Sequence, residues 1–397
     1  MLRPMESRHD RHAIRGADVV VIGGGIIGCA AAAIMADRGA RVALVEGSAI
    51  GAGASGRNLG AIQHPFDPVL AELYRDSLTR YRALAGATDA EFTIAAAPAG
   101  LLLLHRDAHR AAAQARRMRA AFPELDPELL SADEVHRREP ALAPGPAAVR
   151  LETGYPIPPA SATAAWAALA AARGAELVVG QPARPSLEDD RATGVVLRDG
   201  TRISADAVLV AAGPWSPQLV DPSGGWRPIA STWGVTIQLR LAGGAPRHVV
   251  EEDDEGDTIS RADSATARAA TIDAGAEADP PSLFSIASAG GISTIGSTFL
   301  ADEPDPARIG SLLLRRAASF LPSVVDGELV GRRMCARPQS VDGRPFVGAV
   351  AGTLGLFVCS GHGPWGISTG PASAAMAARA VLDGTPPPGQ LEASRQV

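Results

Sequence analysis

Lysine is absent from this 397-residue chain, so all 37 basic side chains are arginine. Its absence excludes mechanisms that need a lysine Schiff base or an ε-ammonium group. Cysteine is nearly as scarce, with residues only at positions 29, 335 and 359 and no CxxC pair. This pattern excludes a disulfide scaffold and a cysteine-rich zinc site, and it is typical of a reducing compartment.

Long apolar runs and an excess of positive charge are also missing. No run reaches the roughly 18 residues of a spanning helix, and the polar first 17 residues lack the apolar region of a signal peptide. The formal net charge is −6, so no basic field favours nucleic acid. We expect a cytoplasmic globular protein of about two or three domain-sized units, without a nucleic-acid partner or an integral membrane segment.

The first chemical signal is a glycine turn between two predicted strands. Asp18 to Ile22 reads DVVVI, typical of a buried parallel strand, and GGGIIG follows at 23–28. An Ala-rich helix then leads to ARVALVE, which ends at Glu46. Such glycines permit a tight turn, a close approach of backbone to pyrophosphate and close helix–strand packing, and the acid binds ribose hydroxyls. The pattern predicts a dinucleotide site and disfavours NADP, but it leaves FAD and NAD open.

Three later segments bear on that choice. Small residues crowd positions 51–60, and a helical stretch over 68–87 follows where a nicotinamide dehydrogenase would usually place its third strand. ADAVLVAAGPWS at 205–216 reads as an apolar strand closed by a glycine. RPQSVDGRPFVG at 337–348 precedes GLFVCSGHGPWGIS, which begins at 355 and reads as strand, glycine turn and helix.

These pieces together resemble the D-amino-acid-oxidase-like FAD family, which includes glycine oxidase and sarcosine oxidase. The matching motifs are GGGIIG…VALVE, GASGRN, VLVAAGPWS, RPQSVDGRPFVG and SGHGPWGIS, in the family's order over nearly the whole chain. The resemblance implies an α/β fold, with a doubly wound Rossmann-type FAD-binding domain and an α+β substrate domain whose mostly antiparallel sheet covers the flavin. It also implies oxidation of an amine or amino acid at the carbon beside nitrogen.

The resemblance further implies how the chain divides between the domains. It assigns the FAD-binding domain to 14–60, 155–216 and 334–390, the substrate-binding domain to 61–154 and 217–333, and flexible tails to 1–13 and 391–397. Residues 251–281 are acidic and Ala-rich with few large apolar groups. We therefore expect them to form a mobile surface excursion of the substrate domain.

The same resemblance implies the flavin contacts. Hydride transfer leaves negative charge on the flavin ring, which a glycine turn and a helix N-terminus can stabilise. The residues expected to contact FAD are Gly23, Gly25, Ile26, Ile27, Gly28, Glu46, Ser55, Gly56, Arg57, Asn58, Ala183, Gly213, Gly361, His362, Gly363, Gly366, Ile367 and Ser368. Monomeric sarcosine oxidases have a flavin-linked cysteine where this chain has Cys335, whereas glycine oxidases do not. Non-covalent FAD is expected, and covalent attachment through Cys335 stays open.

Arg337 is the main substrate-binding candidate. Its forked guanidinium suits a carboxylate, and glycine oxidases have the matching RP dipeptide. Trp365 either forms a wall of an apolar pocket or packs in the core. Gln63 and His64 follow the GRN loop toward the substrate side, although a structural role explains His64 more simply. We expect the partner to be a small carboxylated amine.

The electron acceptor is less defined. Sarcosine oxidases use a lysine near the flavin to help dioxygen accept electrons, and this chain has Thr294 or Thr298 in that region instead. Dioxygen, a quinone or an electron carrier all stay open as acceptors, and the oligomeric state stays open too.

The expected chemistry is hydride transfer from a neutral amine to flavin N5, which gives an imine that water hydrolyses. Positioning and charge stabilisation suffice for this step, so no catalytic acid or base is assigned. Two alternatives stay open. One is a flavin-binding subunit that carries electrons or has no turnover. The other is an NAD-dependent Rossmann dehydrogenase, which would be colourless and would give SGHGPWGIS no role.

Overall fold

The computed structural model describes residues 16–87, 92–253 and 282–397. The strands of the described residues are β1 (Ala17–Ile22), β2 (Val42–Glu46), β3 (Ala61–Ile62), β4 (Leu101–His105), β5 (Glu128–Leu130), β6 (Ala147–Leu151), β7 (Tyr155–Pro156), β8 (Glu176–Val179), β9 (Ala183–Glu188), β10 (Arg191–Leu197), β11 (Arg202–Val210), β12 (Ile229–Arg240), β13 (Val249–Glu252), β14 (Ser282–Ala289), β15 (Ile292–Thr298), β16 (Glu328–Ser340), β17 (Phe346–Ala349) and β18 (Leu356–Ser360). The helices are α1 (Ile26–Asp37), α2 (Ala54–Arg57), α3 (Pro68–Gly86), α4 (Ala108–Ala121), α5 (Ala132–Arg138), α6 (Ser161–Ala172), α7 (Ser216–Val220), α8 (Pro306–Ala318) and α9 (Gly366–Asp383).

The first sheet has the order β17-β18-β11-β1-β2-β8, and β10 joins β11 to β9. Its central pairs are parallel, whereas β17 and the β9–β10 hairpin are antiparallel. Alternation along β1 sends Val19 and Val21 toward α1, α3, α6 and α9, and sends Val20 and Ile22 toward β10 and α7. Both faces are therefore buried, which explains the continuous apolar run in the sequence.

The edge of this sheet formed by the carboxyl ends of β1, β11 and β18 positions the site. A glycine-rich turn follows each of these three strands, and α1 and α9 begin directly after two of them. Ligands of open parallel sheets bind at such an edge, because the helix N-termini and the flexible turns converge there.

The second sheet has the order β16-β12-β15-β14-β13-β4-β6-β5 and is antiparallel except for the β13–β4 pair. Val235, Ile237 and Ile295 point to the side where α8 packs with Ile309 and Leu313. Alternate residues of the same strands point the other way, toward the first sheet. The structure thus confirms the predicted α/β class with a second, mostly antiparallel sheet.

The structure differs from the expected boundaries in several places. The boundary at 334 falls inside β16, since this strand pairs with β12 up to Ser340. Helix α3 packs on α9 although its residues were assigned to the second domain, and the Tyr81 hydroxyl donates to the Ile367 carbonyl at 2.6 Å. The tail expected at 391–397 is instead packed, because Leu391 is buried and Arg395 binds Asp342 at 2.9 Å.

Two further expectations involve segments that the structure covers only in part. The tail at 1–13 and the segment 254–281 lie outside the described residues. Residues 251–253, which we expected in a surface excursion, are buried, because β13 pairs with β4 and β14 on its two sides. None of the helices in the described ranges is both long and apolar enough to cross a membrane.

Candidate active site

Two helix N-termini meet at the edge of the first sheet. The α1 N-terminus has no capping side chain at Gly25, and α9 has neither a capping side chain nor an acidic residue in its first turn. The helices touch at Gly370, where an added Cβ would lie 3.2 Å from side-chain atoms of Ile26 and Ile27. The positive ends of two helix dipoles therefore face one region, which favours an anionic ligand.

The glycine turn before α1 is tightly constrained. An added Cβ at Gly28 would lie 1.9 Å from the Gly23 carbonyl oxygen, so only glycine fits. The Ser55 hydroxyl of α2 accepts a hydrogen bond from the Ile26 N–H at 3.0 Å, and this contact places α2 over the start of α1. The turn therefore has the tight backbone geometry that the sequence predicts for 23–28.

Glu46 lies at the end of β2 beside this turn. Its carboxylate accepts hydrogen bonds from the Gly24 N–H at 2.7 Å and from the Ser48 N–H at 2.8 Å. Gly47 lies against Pro182, so Ala183 at the start of β9 is close to the same strand end. This arrangement suits the ribose and adenine end of a dinucleotide.

The loop after α2 connects the two sheets. Arg57 donates to the Met334 carbonyl at 2.9 Å, and Arg333 donates to the carbonyls of Gly56 at 3.2 Å and Asn58 at 3.1 Å. Burial lowers the pKa of Arg333 to about 10, so it stays charged at neutral pH. Arg333 could not be identified from the sequence, because no local pattern distinguishes it from the many other arginines.

The second glycine turn lies between β18 and α9. Gly363 has φ +53°, and an added Cβ would lie 2.7 Å from the Gln339 side-chain oxygen, so a larger residue would be strained there. Burial lowers the pKa of His362 to about 3, so its imidazole is neutral. The Ser360 hydroxyl donates to the Gly213 carbonyl at 2.9 Å, which joins this turn to the one after β11. Gly361 and Gly366 lie in the same turn and complete the predicted set at this edge.

Several buried polar atoms near this turn have no partner among the described residues. They include the Gln339 side-chain oxygen, the Ser340 hydroxyl, both His362 ring nitrogens, the Arg333 Nε and the Thr236 hydroxyl. Buried polar atoms normally have a hydrogen-bond partner. Together with the two glycine cradles and the paired helix N-termini, they fit a flat, polar, anionic group such as FAD.

A cavity of about 110 Å³ lies between the second sheet and the start of α9. Thr236, Ser285 and Arg337 reach it from β12, β14 and β16, because each lies on the sheet face opposite α8. The other walls are formed by residues of the ranges 58–63 and 364–368. The cavity therefore adjoins the predicted flavin contacts.

Arg337 lines this cavity, and contacts with residues 297–299 hold its side chain in place. Its guanidinium donates to the Thr298 carbonyl and the Ser297 hydroxyl, each at 2.8 Å, and stacks 4.7 Å from the Phe299 ring centroid. It lies over Gly234, where any side chain would collide with it. Burial lowers the pKa of Arg337, and no acidic side chain of the described residues pairs with it. A buried cation without a counter-ion favours an anionic ligand.

A carboxylate that the sequence analysis missed lies in the same cavity. Glu251 is only 7% exposed, and the Gln63 side-chain amide donates to it at 2.9 Å. Burial raises the pKa of Glu251 to about 7, and the charge of Asp253 adds to this shift. The Gln63 N–H in turn donates to the Ser368 hydroxyl at 3.0 Å, which fixes this wall to α9.

The remaining substrate candidates lie in different places. Trp365 lines the cavity and also packs against Leu70 and Leu73. His64 is turned away from the cavity. Its ring packs edge-on against Tyr74 and Phe122, and burial lowers its pKa to about 4.

Thr294 and Thr298 support the two arginines instead of lining the cavity. The Thr294 hydroxyl accepts from Arg333 at 3.2 Å, and the Thr298 hydroxyl accepts from the Val235 N–H at 3.1 Å. Cys335 lies between the arginines on the same face of β16 and is a buried free thiol. Its side of the strand faces the predicted flavin.

Comparison with known proteins gives a consistent result. A family described as FAD dependent oxidoreductase matches residues 18–380. The chain is 29% identical to a glycine oxidase from Pseudomonas aeruginosa, over 89% of this chain and 92% of that protein. The crystal structure of glycine oxidase from Geobacillus kaustophilus aligns with a TM-score of 0.80 and 23% identity, over 96% of this chain and all of that one. Iminodiacetate oxidase from Chelativorans sp. BNC1 aligns with a TM-score of 0.77 and 23% identity, over 94% and 98% of the two chains.

Proposed function

Because the chain belongs to the FAD-dependent oxidoreductase family, we propose that it oxidises the carbon–nitrogen bond of a small carboxylated amine. The observation that carries this proposal is Arg337, a cavity-lining guanidinium without a carboxylate partner among the described residues. The glycine oxidase and iminodiacetate oxidase named above act, by their names, on carboxylated amines. Their named substrates carry the carboxylate that Arg337 would bind.

Bound FAD would supply the two-electron oxidant in this site. Backbone donors of the two glycine turns and the α1 N-terminus would hold its pyrophosphate, and the α9 N-terminus would stabilise negative charge on its ring. Arg337 would bind the substrate carboxylate with two parallel hydrogen bonds, since the Thr298 carbonyl and the Ser297 hydroxyl occupy only two of its five N–H donors. Trp365 and Ile367 would exclude water from the reacting carbon.

We further propose that the FAD is not covalently bound and that the chain reacts with its second substrate without help from lysine. Dioxygen, a quinone and an electron carrier are all compatible with this site, and kinetics must separate them. The domain division follows the two sheets, with β16 assigned entirely to the substrate side because it pairs with β12 throughout.

The test is anaerobic reduction of the FAD-loaded protein by matched pairs of amines, followed by flavin absorbance. Each pair contains a carboxylated amine and its decarboxylated counterpart, such as N-methylglycine and dimethylamine. We expect bleaching by carboxylated members only, and then re-oxidation by air or by an artificial quinone. If no amine in the panel bleaches the flavin, the chain is a flavin-carrying subunit rather than an amine-oxidising enzyme.

A further inference from the structure

Glu251 and Arg337 both line the cavity, and they lie on different strands of the second sheet. The Arg337 guanidinium reaches β15, where it binds Ser297, whereas Glu251 belongs to β13. Ser285 of β14 pairs with Glu251 on one side and with Gly296 on the other. Two strand spacings, about 10 Å, therefore separate the backbone of β13 from that of β15, which the guanidinium reaches. Both side chains line the same cavity, so a small molecule with a carboxylate at one end and an amine at the other fits between them.

The neighbours of Glu251 leave it available to a ligand. One carboxylate oxygen accepts from the Gln63 amide, and no basic side chain of the described residues forms an ion pair with it. The strand partners are Leu103 of β4, which is apolar, and Ser285 of β14, which is neutral. Among the described residues, the charged group that acts on it is Asp253, directly after the end of the same strand, which has the same sign. A cationic ligand would supply the counter-charge that the described residues do not provide.

We propose that Glu251 binds the amine end of the substrate and accepts one proton from its ammonium group. In this step one N–H bond of the ammonium breaks, one O–H bond forms on the Glu251 carboxylate, and no electrons are transferred. The product is a neutral amine, whose nitrogen lone pair supports loss of hydride from the neighbouring carbon. The inference rests on the proposed amine oxidation, and it adds a catalytic residue to a site in which the sequence suggested none.

A binding experiment on the unaltered FAD-loaded protein tests this role without turnover. The probes are 2-aminoisobutyrate, which has no hydrogen on its α carbon, and isobutyrate, which lacks the amine. Because a buried charge-assisted hydrogen bond is strong, we expect the amine-bearing probe to bind about tenfold or more tightly at alkaline pH. The preference should shrink below about pH 7, where Glu251 becomes protonated. A preference for isobutyrate, or a ratio that does not change with pH, would overturn the proposal.

A kinetic experiment compares Glu251→Gln with Glu328→Gln, a control on an exposed carboxylate at the far end of β16. Unaltered protein and control should lose kcat/KM for a carboxylated amine as the pH falls below about 7. Glu251→Gln should show no break near pH 7. Its kcat/KM should instead be low at neutral pH and rise about tenfold per pH unit up to the amine pKa, since only neutral amine formed in solvent then reacts. FAD content and thermal unfolding verify that this variant folds.

The two hypotheses fail in different ways. An unaltered pH profile in folded Glu251→Gln, with the unaltered protein active, contradicts the role of Glu251 and leaves the proposed function intact. If the unaltered protein is not reduced by any amine, the proposed function fails, whereas the two-probe binding ratio still reports whether Glu251 recognises an ammonium group.

Discussion

Replacing Arg337 with alanine should remove most of the discrimination between carboxylated and decarboxylated amines. The guanidinium is already oriented by the Thr298 carbonyl, the Ser297 hydroxyl and the Phe299 ring. Binding a carboxylate therefore costs little side-chain entropy, and the interaction energy of the fork is realised almost fully.

The magnitude follows from the hydrogen bonds that are lost. Each hydrogen bond to a charged group contributes about 1.5–3 kcal/mol, and the fork makes two of them, partly offset by the cost of desolvating the carboxylate. We expect a loss of about 3 kcal/mol, or roughly 150-fold in kcat/KM for N-methylglycine. Arg337→Lys should lose nearly as much, because an ammonium cannot present two parallel donors while also keeping both anchors on β15.

The assay measures kcat/KM, or the rate of anaerobic flavin reduction, for N-methylglycine and dimethylamine in each variant. The matched control is Arg332→Ala, which removes an exposed arginine from the opposite face of the same strand. The ratio of the two rates should collapse in Arg337→Ala and persist in Arg332→Ala. A variant that keeps its FAD and also keeps the full ratio would refute the assignment of Arg337 to the carboxylate.

Three further predictions follow from buried groups. Gly28→Ala should purify without FAD, because its Cβ would lie 1.9 Å from the Gly23 carbonyl oxygen, and flavin absorbance per chain measures this. Glu251→Gln should gain stability relative to the unaltered protein by about 3 kcal/mol between about pH 4.5 and pH 7, as read from urea unfolding. The native carboxyl keeps its proton over that range while the unfolded one loses it, so the unaltered protein is destabilised as the pH rises through the window. Cys335→Ala and the unaltered protein should both release all yellow colour into the supernatant on acid precipitation, and colour in the pellet of the unaltered protein alone would show a covalent bond.

The features that the sequence revealed are those set by a few neighbouring residues. The turn at 23–28 depends on glycine spacing, and the turn at 361–366 depends on strand, glycine and helix in immediate succession. Such local patterns determine backbone geometry directly, so both cradles and the two helix starts could be predicted. Arg337 could also be proposed as the carboxylate-binding residue, because glycine oxidases have the matching RP dipeptide and a forked guanidinium suits a carboxylate.

The features that the sequence did not reveal depend on pairing between distant strands. Glu251 lies in the run EEDDEGD, whose composition indicates a solvated surface, yet β4 and β14 bury it on both sides. His64 follows Gln63 directly, and both were candidates for the substrate side, although a structural role was the simpler expectation for His64. Successive side chains of an extended segment point to opposite sides, so one reaches the cavity and the other packs under Tyr74.

We propose that one FAD binds between the N-termini of α1 and α9, with Arg337 beside its ring. The most direct measurement is a titration of purified, nucleotide-free protein with FAD and, separately, with NAD, followed by flavin fluorescence and calorimetry. We expect one FAD per chain and no comparable binding of NAD. A folded protein that takes up no FAD, or that binds NAD in its place, would contradict it.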